Sequence, residues 1–375
     1  MKLFDVYPLY DVTPVSAEGI VVTDEKGISY LDFYGGHAVI SIGHSHPHYV
    51  KRIKDQLDKI GFYSNSVQNP LQEELAGKLG RLSNCKDYNL FMCNSGAEAN
   101  ENALKLASFH TGKSRVVSFK NSFHGRTSAA VAATDNPKIN APINQQQKVT
   151  FLDFGDLDAL ETELAKGDVC AVILEAIQGV GGLDEPTTDF YQKIAEACKN
   201  NKVVLIADEV QCGFGRSGKF FAFQHHGIQP DIISIAKGMA NGFPVGGILI
   251  HEKIEASYGL LGTTFGGNHL ACAATLAVLE VLENESLISN AARLEDYFRT
   301  KAAEIPQVKK VKGRGLMLGL EFDFEVAELR KKLIHNQHLF TGGAKDKHVL
   351  RILPALNISE GHIDTLFEAL KKELA

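Results

Sequence analysis

The sequence predicts an α/β protein with a mostly parallel sheet. Between residues 87 and 250, short apolar runs alternate with longer stretches whose apolar residues recur at helical spacing. Such alternation is typical of repeated βα units. Most of the runs are apolar at consecutive positions, as expected for strands that helices cover on both faces. The predicted strands are Tyr88–Met92, Arg115–Phe119, Val169–Leu174, Val203–Ala207, Ile232–Ile235 and Gly247–Ile250, and the predicted helices include Ala97–His110 and Thr188–Asn200.

The length of the chain indicates more than one structural unit, because 375 residues exceed what one simple core usually contains. We expect an N-terminal segment over residues 1–50, a large domain over 51–265 and a smaller α+β domain over 266–375. The last boundary rests on a change of pattern. A long predicted helix over His269–Glu283 precedes a second helix and a strand-like run.

Composition excludes several classes of function. The net charge of −6 makes nucleic acid an improbable partner, since binding to a polyanion needs a basic surface. The six cysteines contain no C-x-x-C pair and are much sparser than in disulfide-rich proteins, which fits a reducing compartment. The N-terminus lacks a cationic region followed by an apolar stretch, and no apolar run is long enough to cross a bilayer. We therefore expect a soluble, cytoplasmic protein with no membrane partner.

Polar and charged residues follow several of the predicted strands directly. The first strand is followed by Asn94 and the turn Ser95-Gly96-Ala97, and others end at Glu175, Asp208 and Lys237. In open α/β sheets the ligand site lies at the carboxyl ends of the strands. We therefore expect these four strand ends to face one pocket.

Each of these residues has a structural interpretation beside the functional one. A lysine at a buried strand end is a candidate for a depressed pKa and covalent catalysis, yet Lys237 taken alone fits a solvated turn better. An acid after a very apolar strand needs a cationic partner, but Asp208 could also cap the next helix. The turn Ser95-Gly96-Ala97 suits a phosphate at a helix N-terminus, although many βα turns look like it. Their combination carries more weight than any one of them.

Taken together, the motifs resemble the class III aminotransferases, which depend on pyridoxal 5′-phosphate (PLP). The resemblance runs nearly end to end, and within the class it is strongest to the N-acetylornithine and N-succinylornithine aminotransferases. Several linked motifs in one order make it specific. The matching segments are Asp32-Phe33, Gly43–Pro47, Asn94–Asn100, Ser122–Thr127, Asp208–Gln211, Lys237-Gly238, Gly262–Asn268 and Arg351–Pro354.

The resemblance implies the aspartate-aminotransferase fold, with PLP bound in the large domain and a smaller α+β domain beside it. Lys237 would carry the cofactor and move a proton between substrate and cofactor, and Asp208 would pair with the ring nitrogen. Thr264 would reach the phosphate from the neighbouring subunit, with Thr263 near the substrate, so a homodimer with shared sites is implied. The remaining cofactor contacts would be Gln211 at the phenolic oxygen, Val210 and Phe123 on the two ring faces, and Ser95, Gly96 and Ala97 at the phosphate.

The substrate residues follow from the same resemblance. Arg126 would bind the distal carboxylate and Arg351 the α-carboxylate of glutamate, because a guanidinium can hold a carboxylate through two parallel bonds. We place Tyr7 and His37 nearest the acyl group. The chain has Val180 where the family usually has a glutamate, and His37 where an aliphatic residue or tyrosine is usual. Both departures affect specificity and not cofactor chemistry.

The function implied is transfer of the δ-amino group of N2-acylornithine, acetyl or succinyl, to 2-oxoglutarate, in the setting of arginine biosynthesis. Three alternatives stay open: another ω-aminotransferase acting on ornithine, 4-aminobutyrate or a diamine, a glutamate-1-semialdehyde aminomutase, and a relative without catalytic activity. The alternating His44, His46 and His48 lack an acid or cysteine to complete a metal site, and Pro47 interrupts them. We expect no metal.

Overall fold

The structure is a computed structural model that describes residues 1–375. Its strands are β1 (Pro14–Glu18), β2 (Val21–Asp24), β3 (Ser29–Asp32), β4 (Tyr88–Cys93), β5 (Arg115–Phe119), β6 (Val149–Leu152), β7 (Val169–Leu174), β8 (Val204–Asp208), β9 (Ile232–Ile235), β10 (Gly246–His251), β11 (Lys310–Arg314), β12 (Met317–Glu321), β13 (Leu339–Phe340), β14 (Gly342–Gly343) and β15 (Val349–Ile352).

The helices are α1 (Gly35–Ala38), α2 (Pro47–Leu57), α3 (Pro70–Ser83), α4 (Gly96–Thr111), α5 (Ser128–Ala132), α6 (Leu157–Ala165), α7 (Thr188–Asn200), α8 (His269–Asn284), α9 (Leu287–Ala302), α10 (Ala327–Gln337) and α11 (Glu360–Leu374). The first of them is a single turn in which Gly36 and His37 have left-handed dihedral angles. None of the helices is long and apolar enough to cross a membrane.

A seven-stranded sheet forms the centre of the molecule, in the order β4-β10-β9-β8-β7-β5-β6. All pairings among strands β5, β6, β7, β8 and β9 are parallel. Strand β10 runs antiparallel to both of its neighbours, β4 and β9. The prediction of an α/β fold with a mostly parallel sheet is confirmed, and six of the seven strands were predicted. The seventh, β6, lies at the edge and is half-buried along most of its length.

The helices of this region cover the sheet as its apolar runs require. Helix α4 packs against β7 to β10, and α7 packs against β8 and α6. Strands β7 and β8 are buried at every position, which explains their unbroken apolar sequence. Strands β4 to β9 all run in one direction, so their carboxyl ends lie at the same edge of the sheet, and only β10 runs the other way.

Two smaller sheets accompany the central one, and one of them joins the two ends of the chain. Strands β11, β12, β15 and β14 form an antiparallel sheet in the C-terminal region. Strands β1 to β3 form the other, and β13 from the C-terminal region adds to β3 in parallel. Helix α8 packs against α2 and α3. The N-terminal segment is therefore attached to the C-terminal region and not only to the residues that follow it.

Candidate active site

A cavity of about 380 Å³ opens at the carboxyl ends of the central strands. Its wall contains residues that follow β4, β5, β7, β8 and β9, namely Asn94–Ala97, Phe123–Arg126, Glu175, Asp208 and Lys237. The expected convergence of the strand ends on one pocket is thus present. Both the nucleophile candidate and the acid candidate face it.

Lys237 lies two residues after the end of β9, at the start of a short 3-10 turn. Its backbone is left-handed, with φ of 47°, a conformation that is costly for a residue with a side chain and is often found at functional sites. Desolvation lowers the pKa of the Lys237 ammonium, while the carboxylates of Asp208 and Glu175 act in the opposite direction. The amine is thereby made a better nucleophile than a solvated lysine.

Asp208 ends β8 and is 3% exposed. Its Oδ2 accepts hydrogen bonds from His124 Nδ1 at 2.7 Å and from Asn100 Nδ2 at 2.8 Å, and its Oδ1 accepts one from the Val210 backbone N–H at 3.0 Å. Three donors on three different segments fix the direction of the carboxylate. Asp208 therefore belongs to a buried network and does not cap a helix.

His124 and Asn100 were not among the residues assigned from the sequence. Both lie inside motifs that were noticed, and both are almost fully buried, at 2% and 1% exposure. A buried polar residue normally finds a partner. Their common partner, Asp208, is 84 positions from His124 and 108 positions from Asn100 along the chain, so only the fold reveals it.

Gln211 and Val210 stand beside Asp208 on the cavity wall. Gln211 Nε2 donates to the backbone oxygen of His37 at 3.2 Å, and its Oε1 is buried without any partner in the protein. A buried acceptor left free in this way is suited to a ligand donor. Val210 packs so closely on Gly96 that a Cβ at that position would come within 2.5 Å of Val210 Cγ1. The glycine is required there.

The turn after β4 presents a helix N-terminus to the cavity. Ser95 caps α4, because its hydroxyl accepts the Glu98 N–H at 3.2 Å. The backbone N–H groups of Gly96 and Ala97 open the helix and have no intrahelical acceptor, which makes the turn a suitable anion site. Phe123 is half-buried on the wall, and its backbone N–H donates to Glu175 Oε1.

Glu175 is a second buried acid on the cavity wall. Its Oε1 and Oε2 accept the N–H groups of Phe123 and Gly179, both at 2.9 Å. Burial raises the pKa of this carboxyl, and nearby His124 acts against that rise. Val180 also lines the cavity. Both acids on the wall therefore accept hydrogen bonds from donors of the protein itself.

The remaining residues assigned from the sequence lie in different places. Arg126 is exposed at the cavity wall and forms no ion pair. Arg351, Thr263 and Thr264 are outside the cavity lining, and Tyr7 is 74% exposed near the N-terminus. His37 contributes its backbone oxygen to Gln211 and not its side chain. Their assigned roles stay predictions.

The three alternating histidines each contact a different carboxylate. His44 binds Asp32, His46 binds Glu285 and His48 binds Glu280. Pro47 is the first residue of α2. Each imidazole is therefore part of a separate structural pair.

Comparison with known proteins identifies the family. The model of the family described as Aminotransferase class-III matches residues 6–374. The chain belongs to the class III aminotransferases. It is 40% identical to the acetylornithine aminotransferase of Bacillus subtilis, over 100% of this chain and 98% of that protein. The acetylornithine aminotransferase of Methanocaldococcus jannaschii is 38% identical, over 97% of this chain and 94% of that protein.

Solved structures of other aminotransferases share the fold. The ornithine aminotransferase from Toxoplasma gondii aligns with a TM-score of 0.89 and 27% identity, covering 98% of this chain and 91% of that one. An S-selective transaminase from Arthrobacter sp. aligns with a TM-score of 0.91 and 25% identity, covering 100% and 95%. Another structure of the Toxoplasma gondii enzyme has partial occupancy of PLP at its active site. The aspartate-aminotransferase fold expected from the motifs is confirmed.

This class III aminotransferase uses PLP, and the cavity fits that cofactor. Asp208 offers a buried, oriented carboxylate to a ring nitrogen, Gln211 Oε1 offers a free acceptor, and the turn at Gly96 offers backbone N–H groups. Lys237 is the one lysine on the wall. When bound, PLP supplies the carbon that accepts the amino group and a ring that withdraws electrons from the reacting centre.

Proposed function

We propose that this enzyme transfers the δ-amino group of an N2-acylated ornithine to 2-oxoglutarate, giving N-acylglutamate 5-semialdehyde and glutamate, within arginine biosynthesis. The observation that carries the proposal is the charge of the cavity wall. Its only carboxylates are Glu175, whose two oxygens accept the backbone N–H groups of Phe123 and Gly179, and Asp208, which this proposal gives to the ring nitrogen of the cofactor. No acid of the wall is left to accept a free α-ammonium, whereas an acyl amide carries no charge and needs none. The names of the full-length relatives agree with this choice.

The roles of the site residues follow from their positions. Lys237 carries the cofactor and, when released, moves a proton at the substrate carbon, for which its lowered pKa suits it. Asp208 pairs with the ring nitrogen, and His124 and Asn100 keep its carboxylate in that direction. Phe123 and Val210 enclose the ring from its two faces. Gln211 binds the phenolic oxygen.

The substrate enters with its δ-amine towards Lys237, so its α-carboxylate lies outward. Arg126, exposed on the wall and without an ion pair, is the cation that this carboxylate meets first. Val180 adds an apolar surface beside the same cavity. An uncharged acyl chain is compatible with such a wall. An acetyl group is uncharged in this sense, whereas the terminal carboxylate of a succinyl group would need a further cationic or N–H-rich subsite.

N2-acylornithine should be preferred over free ornithine by about tenfold to a few hundredfold in kcat/KM, the range that one or two differential contacts supply. Burying an ammonium without an acceptor costs about 1–3 kcal/mol. The measurement compares free, acetylated and succinylated ornithine at saturating 2-oxoglutarate. If free ornithine is the best of the three, the enzyme is instead an ornithine-type ω-aminotransferase. Amino transfer within one substrate, without 2-oxoglutarate, would identify an aminomutase.

We also propose that the working unit is a homodimer in the cytosol. Thr264 is exposed beside an apolar patch formed by Phe62, Tyr63, Val67 and Phe265, which are 44%, 56%, 53% and 59% exposed. Phe62 and Phe265 already contact each other, with ring centroids 5.5 Å apart. A second copy covering this patch would bring Thr264 to its neighbour's phosphate. The six cysteines are all buried and unpaired, which supports a reducing compartment.

Mixing Lys237→Ala and Thr264→Ala subunits tests the shared site. After subunit exchange, one site of each mixed dimer should contain both changes and the other site neither, so part of the activity should return. Exchange is followed separately with differently tagged subunits. Full exchange without any recovery would contradict the proposal that Thr264 serves the neighbouring site.

A further inference from the structure

Arg351 is a buried arginine without an acidic partner. It lies in β15 and is 4% exposed. Its guanidinium donates to three neutral oxygens: Nε to the Gly343 backbone at 2.5 Å, Nη1 to the Gly179 backbone at 2.7 Å, and Nη2 to the Tyr34 hydroxyl at 3.0 Å. Burying a cation without a counter-ion is expensive. Such a site favours an anionic ligand.

Tyr34 supports Arg351 in two ways. The guanidinium carbon lies 5.6 Å from the centre of the Tyr34 ring, within the range of a cation–π contact. The Tyr34 oxygen also accepts from Nη2 of the arginine. The contact with the ring restricts the distance of the guanidinium from Tyr34, and the hydrogen bond to the hydroxyl restricts its rotation.

His37 determines the direction of the Tyr34 hydroxyl. Its Nδ1 lies 2.6 Å from the Tyr34 oxygen. Arginine has no acceptor, so the tyrosine oxygen must accept from Arg351, and its proton is free to be donated to His37. Burial raises the pKa of the Tyr34 hydroxyl and lowers the pKa of the His37 imidazole, which Arg351 and Lys237 lower further. Both effects favour a neutral pair, and donation of the tyrosine proton to Nδ1 requires the tautomer in which Nδ1 is unprotonated.

The backbone holds His37 in the position that this bond needs. Residues 35–38 all have positive φ, and φ of His37 is 70°. A hydrogen bond from Gln211 Nε2 to the His37 backbone oxygen stabilises this strained turn. His37 thus connects the wall of the cofactor cavity with the Tyr34–Arg351 pair.

We propose that Tyr34 is the positioning residue for Arg351 and that His37 orients the Tyr34 hydroxyl, so that Arg351 is held ready for the carboxylate of glutamate or 2-oxoglutarate. The inference rests on the proposed function, in which 2-oxoglutarate is a substrate, and on the carboxylate-binding role that the family resemblance implies for Arg351. Three of the five guanidinium N–H groups are used, which leaves one on each terminal nitrogen for a ligand. Because every present partner is neutral, no protein carboxylate has to be displaced first.

The main test is Tyr34→Phe in the holoenzyme, which keeps the ring and removes the acceptor. KM for 2-oxoglutarate should rise by about 5- to 30-fold, the loss expected for one hydrogen bond to a charged group. kcat should fall by less than KM rises. The affinity for glutarate, an unreactive dicarboxylate, should fall by the same factor in calorimetry. Tyr30→Phe is the matched control, since Tyr30 is a buried tyrosine of the same region whose hydroxyl contacts Asp24 instead.

Variants at His37 provide the second measurement and must tolerate positive φ, so asparagine and glycine are used. His37→Asn retains an acceptor near the Nδ1 position and should keep most of the affinity for 2-oxoglutarate. His37→Gly removes the acceptor and should weaken it. The double variant Tyr34→Phe/His37→Gly should be no weaker than Tyr34→Phe alone, because His37 acts only through the hydroxyl. These variants also test the proposal if Tyr34→Phe folds poorly.

Unchanged glutarate affinity in Tyr34→Phe, or losses that multiply in the double variant, would overturn the inference. So would a wild-type holoenzyme that binds neither glutarate nor 2-oxoglutarate. Failure of the proposed function would look different. Activity with acylornithines would be absent, while the affinity for glutarate would still fall in the Tyr34→Phe and His37→Gly variants.

Discussion

Lys237→Ala should lower turnover by at least about a thousandfold while the fold is retained. The variant lacks both functions proposed for Lys237: the covalent attachment of the cofactor and the amine that moves the proton. No neighbouring side chain can replace it, since it is the one lysine on the cavity wall. The other basic residues there, Arg126 and His124, are respectively exposed and bonded to Asp208.

Two measurements separate this role from a structural one. Borohydride reduction of the wild-type holoenzyme should fix the cofactor to the peptide that contains Lys237, as mass spectrometry would show, and the variant should contain no such adduct. Lys253→Ala is the control, because Lys253 pairs with Asp231 outside the cavity lining. Transamination by Lys237→Ala at a rate close to wild type would refute the assignment.

Asp208→Asn should lower kcat/KM by at least about a hundredfold, the loss that follows removal of one preorganised electrostatic group. Asparagine has the same shape, so the expected loss comes from the missing negative charge. The amide would also present an N–H group or a weaker acceptor to His124 and Asn100, which now donate to the carboxylate. Cofactor affinity should fall as well, because the ring nitrogen loses its ionic partner.

Glu209→Gln is the matched control for Asp208→Asn. Glu209 is the next residue and is fully buried, but its carboxylate accepts the backbone N–H groups of Ala222 and Phe223, away from the cavity. The melting temperature of this variant should fall while kcat/KM changes little. Equal losses of kcat/KM in the two variants would mean that Asp208 acts by supporting the fold and not by contacting the cofactor.

The sequence was sufficient to predict a strand where its apolar pattern coincides with complete burial. Strands β7 and β8 are buried at every position, so their unbroken apolar runs identified them. The order of motifs along the chain identified the family and the cofactor. The orientation of β10 was not predictable, because its apolar run is the same for a parallel and an antiparallel strand. The half-buried edge strand β6 was missed for lack of such a run.

At the site, the apolar runs show which residues end the strands, and the parallel topology then brings Asp208, Glu175 and Lys237 to one edge of the sheet. The partners that orient these residues follow from the packing of distant segments. His124 and Asn100 reach Asp208 across 84 and 108 positions, and Arg351 reaches Tyr34 across 317. A motif records the kind of residue at a position, but not the distant donor that completes its hydrogen bonds. That donor is brought there by the packing of the whole chain, and no periodicity within a single segment encodes it.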